Sequence, residues 1–329
     1  MRLVSYEMLD SRERGFGRIE GNSVIPMGLE PRPTGESTRE AAAGSTRGSA
    51  RGLQFRSDLK GFLASGGLGS VQVDAAEAGG AAGAGGTAGA GAAQEGDAIP
   101  LTEVELRAPI ADPGKIVCVG LNYRDHAAES GIDVPDEPIL FPKFANSVVG
   151  PEEAIVIPPA DHRIDYEAEL GVVIKSRAKG VSVEDALQYV AGYMCVNDVS
   201  ARDLQMRTGQ WMRGKAIDTF FPTGPWLVTK EDVPDPQDLW IRCRLNGKVM
   251  QDSRTDQMVF GVADLVSFIS QTMTLEPGDI IATGTPPGVG FARDPAVWLQ
   301  SGDRVTVEIE GLGVLSNPLQ LGVDPGVEP

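Results

Sequence analysis

The chain is poor in the residues that build thiolate metal sites, disulfide frameworks and histidine clusters. Its 329 residues include only three cysteines and two histidines. Cys118, Cys195 and Cys243 are far apart, odd in number and set in apolar, strand-like sequence. No CxxC spacing points to zinc, so they are expected to be reduced core thiols of a cytoplasmic protein. Basic charge is also scarce: 29 Lys and Arg face 46 Asp and Glu, for a net charge of −17. Nucleic acid and anionic membrane surfaces both need basic patches, so neither is expected as a partner. No apolar run is long enough to span a bilayer, and the stretch from Met1 to Glu7 lacks the apolar core of a signal peptide.

What is present suits a globular protein. Hydrophobic residues make up 41% and charged residues 23%, enough for one large domain or two around a sizeable core. Residues 75–96 are almost entirely Ala and Gly. That composition cannot build a core and reads as a linker or insertion. It separates a small N-terminal cap region, 1–74, from a main domain over 97–329. In the cap, residues 1–29 read as a small β-meander, 30–50 as a surface loop, and 51–65 as a helix from the spacing of Leu53, Phe55, Leu59, Phe62 and Leu63. In the main domain, Lys115–Gly120 and Gly192–Asp198 read as buried strands. Ser182 reads as the N-cap of a helix running through Ala191. Asn246-Gly247 reads as a hairpin turn, and Val259–Met273 as a helix stopping before Pro277-Gly278. Strands dominate without regular βαβ alternation, which predicts a mainly β, α+β domain with a curved β core.

Two acids stand out in Asp165-Tyr166-Glu167-Ala168-Glu169-Leu170-Gly171-Val172-Val173-Ile174. Read as one strand, this segment points Glu167 and Glu169 to the same face. Adjacent carboxylates repel unless a positive charge lies between them, and a hard divalent cation takes oxygen ligands. An isolated Glu-x-Glu is more often a solvated strand face, so the neighbouring segments decide between the two. A helical turn after Gly120 would put His126 and Glu129, three apart, on one face. A carboxylate there can orient an imidazole that takes a proton. His162, in a Pro-rich loop, reads as surface and receives no role.

Several segments, in order, resemble the fumarylacetoacetate hydrolase family. They are Val119-Gly120-Leu121-Asn122-Tyr123-Arg124-Asp125-His126, Asp165-Tyr166-Glu167-Ala168-Glu169-Leu170, and Asn197-Asp198-Val199-Ser200-Ala201-Arg202-Asp203-Leu204-Gln205. Gly214-Lys215 before Asp218-Thr219-Phe220, and Thr283-Gly284-Thr285-Pro286 with Gly288-Val289-Gly290, complete the set. The resemblance spans about residues 107–319, and the Ala/Gly segment departs from it. It implies a curved, mixed β-sandwich or roll core with few helices after a small N-terminal α/β cap. It implies Mg²⁺ or Mn²⁺, with Ca²⁺ as a crystal substitute, held by Glu167, Glu169 and Asp198. His126, Glu129 and Lys215 are the implied catalytic residues. Lys143, Arg202, Gln205 and Thr285 are implied to contact substrate, with Arg124 and Arg213 towards its distal end. Arg202 could equally be a counter-ion for the acids. A homodimer is also implied.

The expected activity is metal-dependent hydrolysis of a C–C bond in a small 1,3-diketo or 2-oxo acid. The alternatives are an oxaloacetate decarboxylase or a 2-hydroxyhepta-2,4-diene-1,7-dioate isomerase, because one enolate-stabilising site serves all three. A non-catalytic protein that binds metal and oxo acid is the rival from another class. It would be told apart by ligand-induced stabilisation without product.

Overall fold

The computed structural model describes residues 1–27, 59–64, 68, 97–130, 133–159 and 162–323. The expected loop at 30–50 and linker at 75–96 lie outside the described residues, as does most of the expected helix before Leu59.

The N-terminal strands are Arg2–Met8 (β1), Arg14–Glu20 (β2) and Ser23–Pro26 (β3), the expected meander. The helix Leu59–Ala64 (α1) buries Leu59, Phe62 and Leu63, with the Phe62 ring 5.2 Å from that of Phe16. Each such burial stabilises by roughly 1.5–3 kcal/mol, enough to hold a short helix that would not form alone. Strands Ile99–Pro100 (β4) and Val104–Arg107 (β5) follow, then Ile116–Gly120 (β6), helix Arg124–Ser130 (α2) and Ile139–Lys143 (β7). Val148–Val149 (β8), Ile155–Ile157 (β9) and Ile164–Asp165 (β10) are short. Ala168–Ile174 (β11) and Val190–Asn197 (β12) are buried throughout. Helix Val183–Ala186 (α3) lies between them.

Beyond β12 come Ser200–Ala201 (β13), helices Arg202–Gln205 (α4) and Met212–Lys215 (α5), and Phe221–Thr229 (β14). Trp240–Leu245 (β15) and Lys248–Arg254 (β16) flank the Asn246-Gly247 turn. Both turn residues have positive φ, 51° and 81°, the geometry for which Asn-Gly is suited. Helix Val262–Thr272 (α6), Ile280–Ala282 (β17) and the hairpin Arg304–Ile309 (β18) with Gly313–Leu321 (β19) complete the chain.

The protein is mostly β, with mixed sheets. A 12-stranded sheet runs β4-β3-β2-β1-β14-β12-β11-β17-β6-β7, with β5 on β1 and β8 on β14. Most pairs are antiparallel, but β17 and β6 run parallel. A five-stranded sheet runs β16-β15-β18-β19-β9. One core lies between them, joining Leu170, Val172, Tyr193 and Val228 to Ile241, Cys243, Val305, Val307 and Leu315. The opposite face of the large sheet, with Val173, Met194, Val196 and Ile280, packs a second core that includes α1. Both faces of β11 and β12 are therefore covered, which explains their continuous apolar character. The N-terminal strands extend this sheet through β1, which places Leu3 opposite Leu227 of β14.

Two expected elements differ. The helix after Ser182 ends at Ala186, and Val190 and Ala191 belong to β12. Pairing of β12 with β11 and β14 claims those residues against their helical spacing. The strand read from Asp165 to Ile174 is broken at Tyr166-Glu167. Side chains and loop amides take over from a ladder there. The Asp165 carboxylate accepts from the amides of Tyr166, Gly290 and Phe291, and the Glu167 amide donates to Asn197 Oδ1.

Candidate active site

The β11–β12 pairing assembles the acids. Ala168 lies opposite Asn197 and Glu169 opposite Val196, so the next position brings Glu167 against Asp198. The Asp198 amide donates to the Glu167 carbonyl at 2.9 Å. Glu167, Glu169 and Asp198 are all buried, and each offers an oxygen within 4.8 Å of the others. Glu167 and Glu169, two apart, point to one side as the sequence reading expects, although the regular strand starts only at Ala168. The register across to β12 adds Asp198 to the pair.

Three cations surround these acids. Lys215 Nζ lies 2.6 Å from Glu167 Oε2 and 2.7 Å from Asp198 Oδ2. Lys143 Nζ lies 2.8 Å from Asp198 Oδ1 and also donates to the carbonyls of Val199, Lys215 and Phe220. Arg202 binds Asp165 through Nε at 2.8 Å and Glu167 through a terminal nitrogen at 2.7 Å. Burial pushes the Glu167 carboxyl up, but Lys215 and Arg202 outweigh it and hold it at about 2. Burial lowers Lys215, but Asp198 and Glu167 outweigh it and keep the ammonium charged. Lys143 is lowered on balance, because burial exceeds the pull of Asp198.

Glu169 is the exception. Its Oε2 accepts from the Gly284 amide at 2.8 Å, and among the described residues no cation lies in ion-pair reach. Gly284 adopts φ of +97°, which aims that amide and which side chains resist. Burial, then Asp198 and Glu167, push the Glu169 carboxyl well above the carboxylate range. A divalent cation would supply the charge that Glu169 lacks. Two oxygens bound to one hard cation lie no more than about 4–5 Å apart, given ligand distances of roughly 2.0–2.6 Å, and the three carboxylates keep within that limit, at 4.8 Å or less. Glu167, Glu169 and Asp198 could therefore hold a metal ion.

A small cleft of about 90 Å³ opens on these residues. His126, Glu167, Glu169, Arg202, Gln205, Lys215 and Thr285 line it, with Phe141, Trp211 and Phe291 as apolar wall. Lys215 and Arg202–Gln205 converge because α5 packs closely on α4. A Cβ at Gly214 would stand 2.5 Å from the Gln205 amide nitrogen. His126 is buried, with Nδ1 3.4 Å from Glu129 Oε2. Glu129 also accepts from the Gly288 amide. Gln205 Oε1 accepts from Arg202 at 2.9 Å, and the Thr285 hydroxyl donates to the Ala168 carbonyl.

Other expected contacts do not reach the cleft. Lys143 is consumed by Asp198 and three carbonyls behind it. Arg124 turns away and donates to the carbonyls of Asp256 and Met258. Arg213 is exposed and outside the lining. Sequence reasoning assigned no role to Asp165, which is fully buried and joins Arg202 to the loop amides of Gly290 and Phe291. Nor did it find the Phe291 ring, over which the Arg202 guanidinium lies at 4.6 Å. Spacing carried no signal for either, since the partners are about 40 to 130 residues apart. His162 is not a bare surface residue: Nδ1 lies 2.9 Å from Asp203 Oδ2.

Comparison with known proteins gives the family. Residues 115–320 match the family described as fumarylacetoacetate (FAA) hydrolase C-terminal. The chain belongs to that family of enzymes, and the match contains the acid triad, Lys215 and the His126–Glu129 pair. It is 51% identical over 220 residues to a mitochondrial oxaloacetate tautomerase of Rattus norvegicus, covering 67% of this chain and 70% of that protein. The Homo sapiens counterpart is 52% identical over 221 residues, with the same coverage. Among solved structures, a 2-hydroxyhepta-2,4-diene-1,7-dioate isomerase from Mycobacterium marinum superposes with TM-score 0.71 at 33% identity, covering 98% of this chain and 100% of that one. A fumarylacetoacetate hydrolase from Exiguobacterium antarcticum gives TM-score 0.73 at 31% identity, covering 98% and 100%. Among the described residues, no helix is long and apolar enough to cross a membrane.

Proposed function

We propose that this chain catalyses a proton shift in a small 2-oxo dicarboxylate, the keto–enol interconversion of oxaloacetate or a close analogue. Identity of about half with oxaloacetate tautomerases carries this reading. It displaces the C–C hydrolysis expected from the sequence in favour of the isomerising alternative.

When bound by Glu167, Glu169 and Asp198, Mg²⁺ or Mn²⁺ would polarise the 2-oxo carboxylate and favour its enolate. Nδ1 of His126 faces Glu129, which leaves Nε2 to take a proton from the substrate's acidic methylene carbon and return it to oxygen. Glu129 steadies the ring and offsets its positive charge. Lys215, held between Glu167 and Asp198, adds positive charge beside the enolate oxygen. Gln205 and Thr285 orient the substrate. Phe141, Trp211 and Phe291 limit water, which favours moving a proton over adding a nucleophile. The shift conserves every atom and consumes no water.

The test is oxaloacetate with Mg²⁺ or Mn²⁺ and with EDTA, following enol absorbance, pyruvate and CO₂ together. Metal-dependent acceleration of enol decay without loss of oxaloacetate is the expected result. Pyruvate and CO₂ would mark a decarboxylase. The solved fumarylacetoacetate hydrolase structure and the His126–Glu129 pair favour hydrolysis as the second reading. Metal-dependent cleavage of acylpyruvates to two acids, with no effect on oxaloacetate, would establish it.

A further inference from the structure

A second, larger opening of about 1160 Å³ adjoins the cleft. The two share Arg202, Met206 and Phe291. Arg202 stands at the seam, tied inward to Asp165 and Glu167, with Phe291 against its plane. Among the described residues, the outer wall adds Arg163, Arg207, His162 and a single carboxylate, Asp203. That carboxylate is already engaged. It meets His162 at 2.9 Å and accepts from the Arg163 backbone amide at 3.2 Å, while Arg207 stands 3.9 Å away. Among the described residues, no carboxylate lies in ion-pair reach of the Arg163 guanidinium, and the Arg207 side chain is 56% exposed.

The charge of this wall is opposite in sign to the net charge of the chain. The chain carries a net charge of −17, so a dianion approaching most faces is repelled. Two arginines facing one carboxylate leave positive charge in excess on this wall, beside the cleft. Guanidinium groups match carboxylates through paired N–H donors and stay charged at any working pH. We propose that this vestibule is an entry subsite for the dicarboxylate substrate, where Arg163 and Arg207 capture one carboxylate before it passes Arg202 into the cleft. The substrate class rests on the function proposed above. The anion site rests on the vestibule alone.

Trp298 lies on the vestibule wall and serves as a reporter independent of turnover. Quenching of the protein by iodide, an anion, is compared with quenching by neutral acrylamide. The Trp298→Phe protein isolates the Trp298 signal. The iodide-to-acrylamide ratio at Trp298 is expected to fall about twofold or more in the Arg163→Gln/Arg207→Gln protein and in raised salt. Malonate, an unreactive dianion, is expected to suppress iodide quenching in the parent protein only. With oxaloacetate, the double variant is expected to lose about tenfold in kcat/KM, with kcat nearly kept and a flatter salt dependence. An unchanged quenching ratio in the double variant overturns the subsite. A lowered ratio in a protein inert towards oxaloacetate upholds the anion site and overturns the substrate assignment.

Discussion

Both carboxylate oxygens of Glu129 accept from the amide of Gly288, at 3.1 and 3.0 Å. This contact joins the helix that carries His126 to the loop following β17. Glu129 thus does two things: it faces the imidazole and it anchors the helix beside the cleft. Glu129→Ala removes both. It is expected to lower kcat by about 10²-fold or more, the usual weight of assisted proton transfer. The exposed end of the helix is expected to limit any fall in melting temperature. Steady-state kinetics beside thermal denaturation checks this, and an unaltered kcat would remove the pair from the chemistry.

Glu169 is a buried carboxylate with no cation in ion-pair reach among the described residues. Glu169→Gln keeps an oxygen for the Gly284 amide and removes the charge. Without metal, this variant is expected to be as stable as the parent or more so, because burying an unpaired charge is costly. Added Mg²⁺ or Mn²⁺ is expected to raise the melting temperature of the parent and not of the variant. Metal-dependent stabilisation that survived the change would exclude Glu169 as a ligand.

Lys215 behaves in the opposite way. Lys215→Met leaves Glu167 and Asp198 buried without their shared ammonium. Breaking a buried pair from one side costs about 3–5 kcal/mol. Denaturant unfolding of the metal-free protein is expected to show a loss of that order, and divalent metal is expected to restore part of it. A loss below about 1 kcal/mol, the range of exposed pairs, would contradict the geometry.

All three cysteines are free and buried. Burial pushes every thiol up: Cys118 well above its usual range, with Asp198 and Glu169 adding to the effect, Cys195 to about 12, and Cys243 upward as well. The thiolate is the reactive form. A disulfide reagent such as dithionitrobenzoate is therefore expected to leave the native protein untouched at neutral pH and to titrate three thiols after denaturation. Fast labelling of the native state would show that one of these strands opens.

Much of the protein was legible in its residues. Continuous apolar, β-branched segments marked the strands that now lie between two cores. Asn246-Gly247 marked its hairpin because few residues adopt the backbone that turn needs. The three acids, the His126–Glu129 spacing and Lys215 were visible as types set near one another along the chain or matched by family resemblance. The structure alone decided which of them meet. Asp198 comes to Glu167 and Glu169 through the register of β12 on β11, and β-pairing between distant segments is invisible to local spacing. Lys143 and Arg124 were read as reaching substrate, yet Lys143 is spent on Asp198 and buried carbonyls, and Arg124 on the carbonyls of Asp256 and Met258. A side chain's direction is set by the nearest unsatisfied partner in space. Asp165 and the vestibule arginines take their meaning from neighbours across the fold, such as the loop amides and the wall around Trp298. Local chemistry was therefore written in the sequence, while convergence of that chemistry on one cleft required the packed sheets.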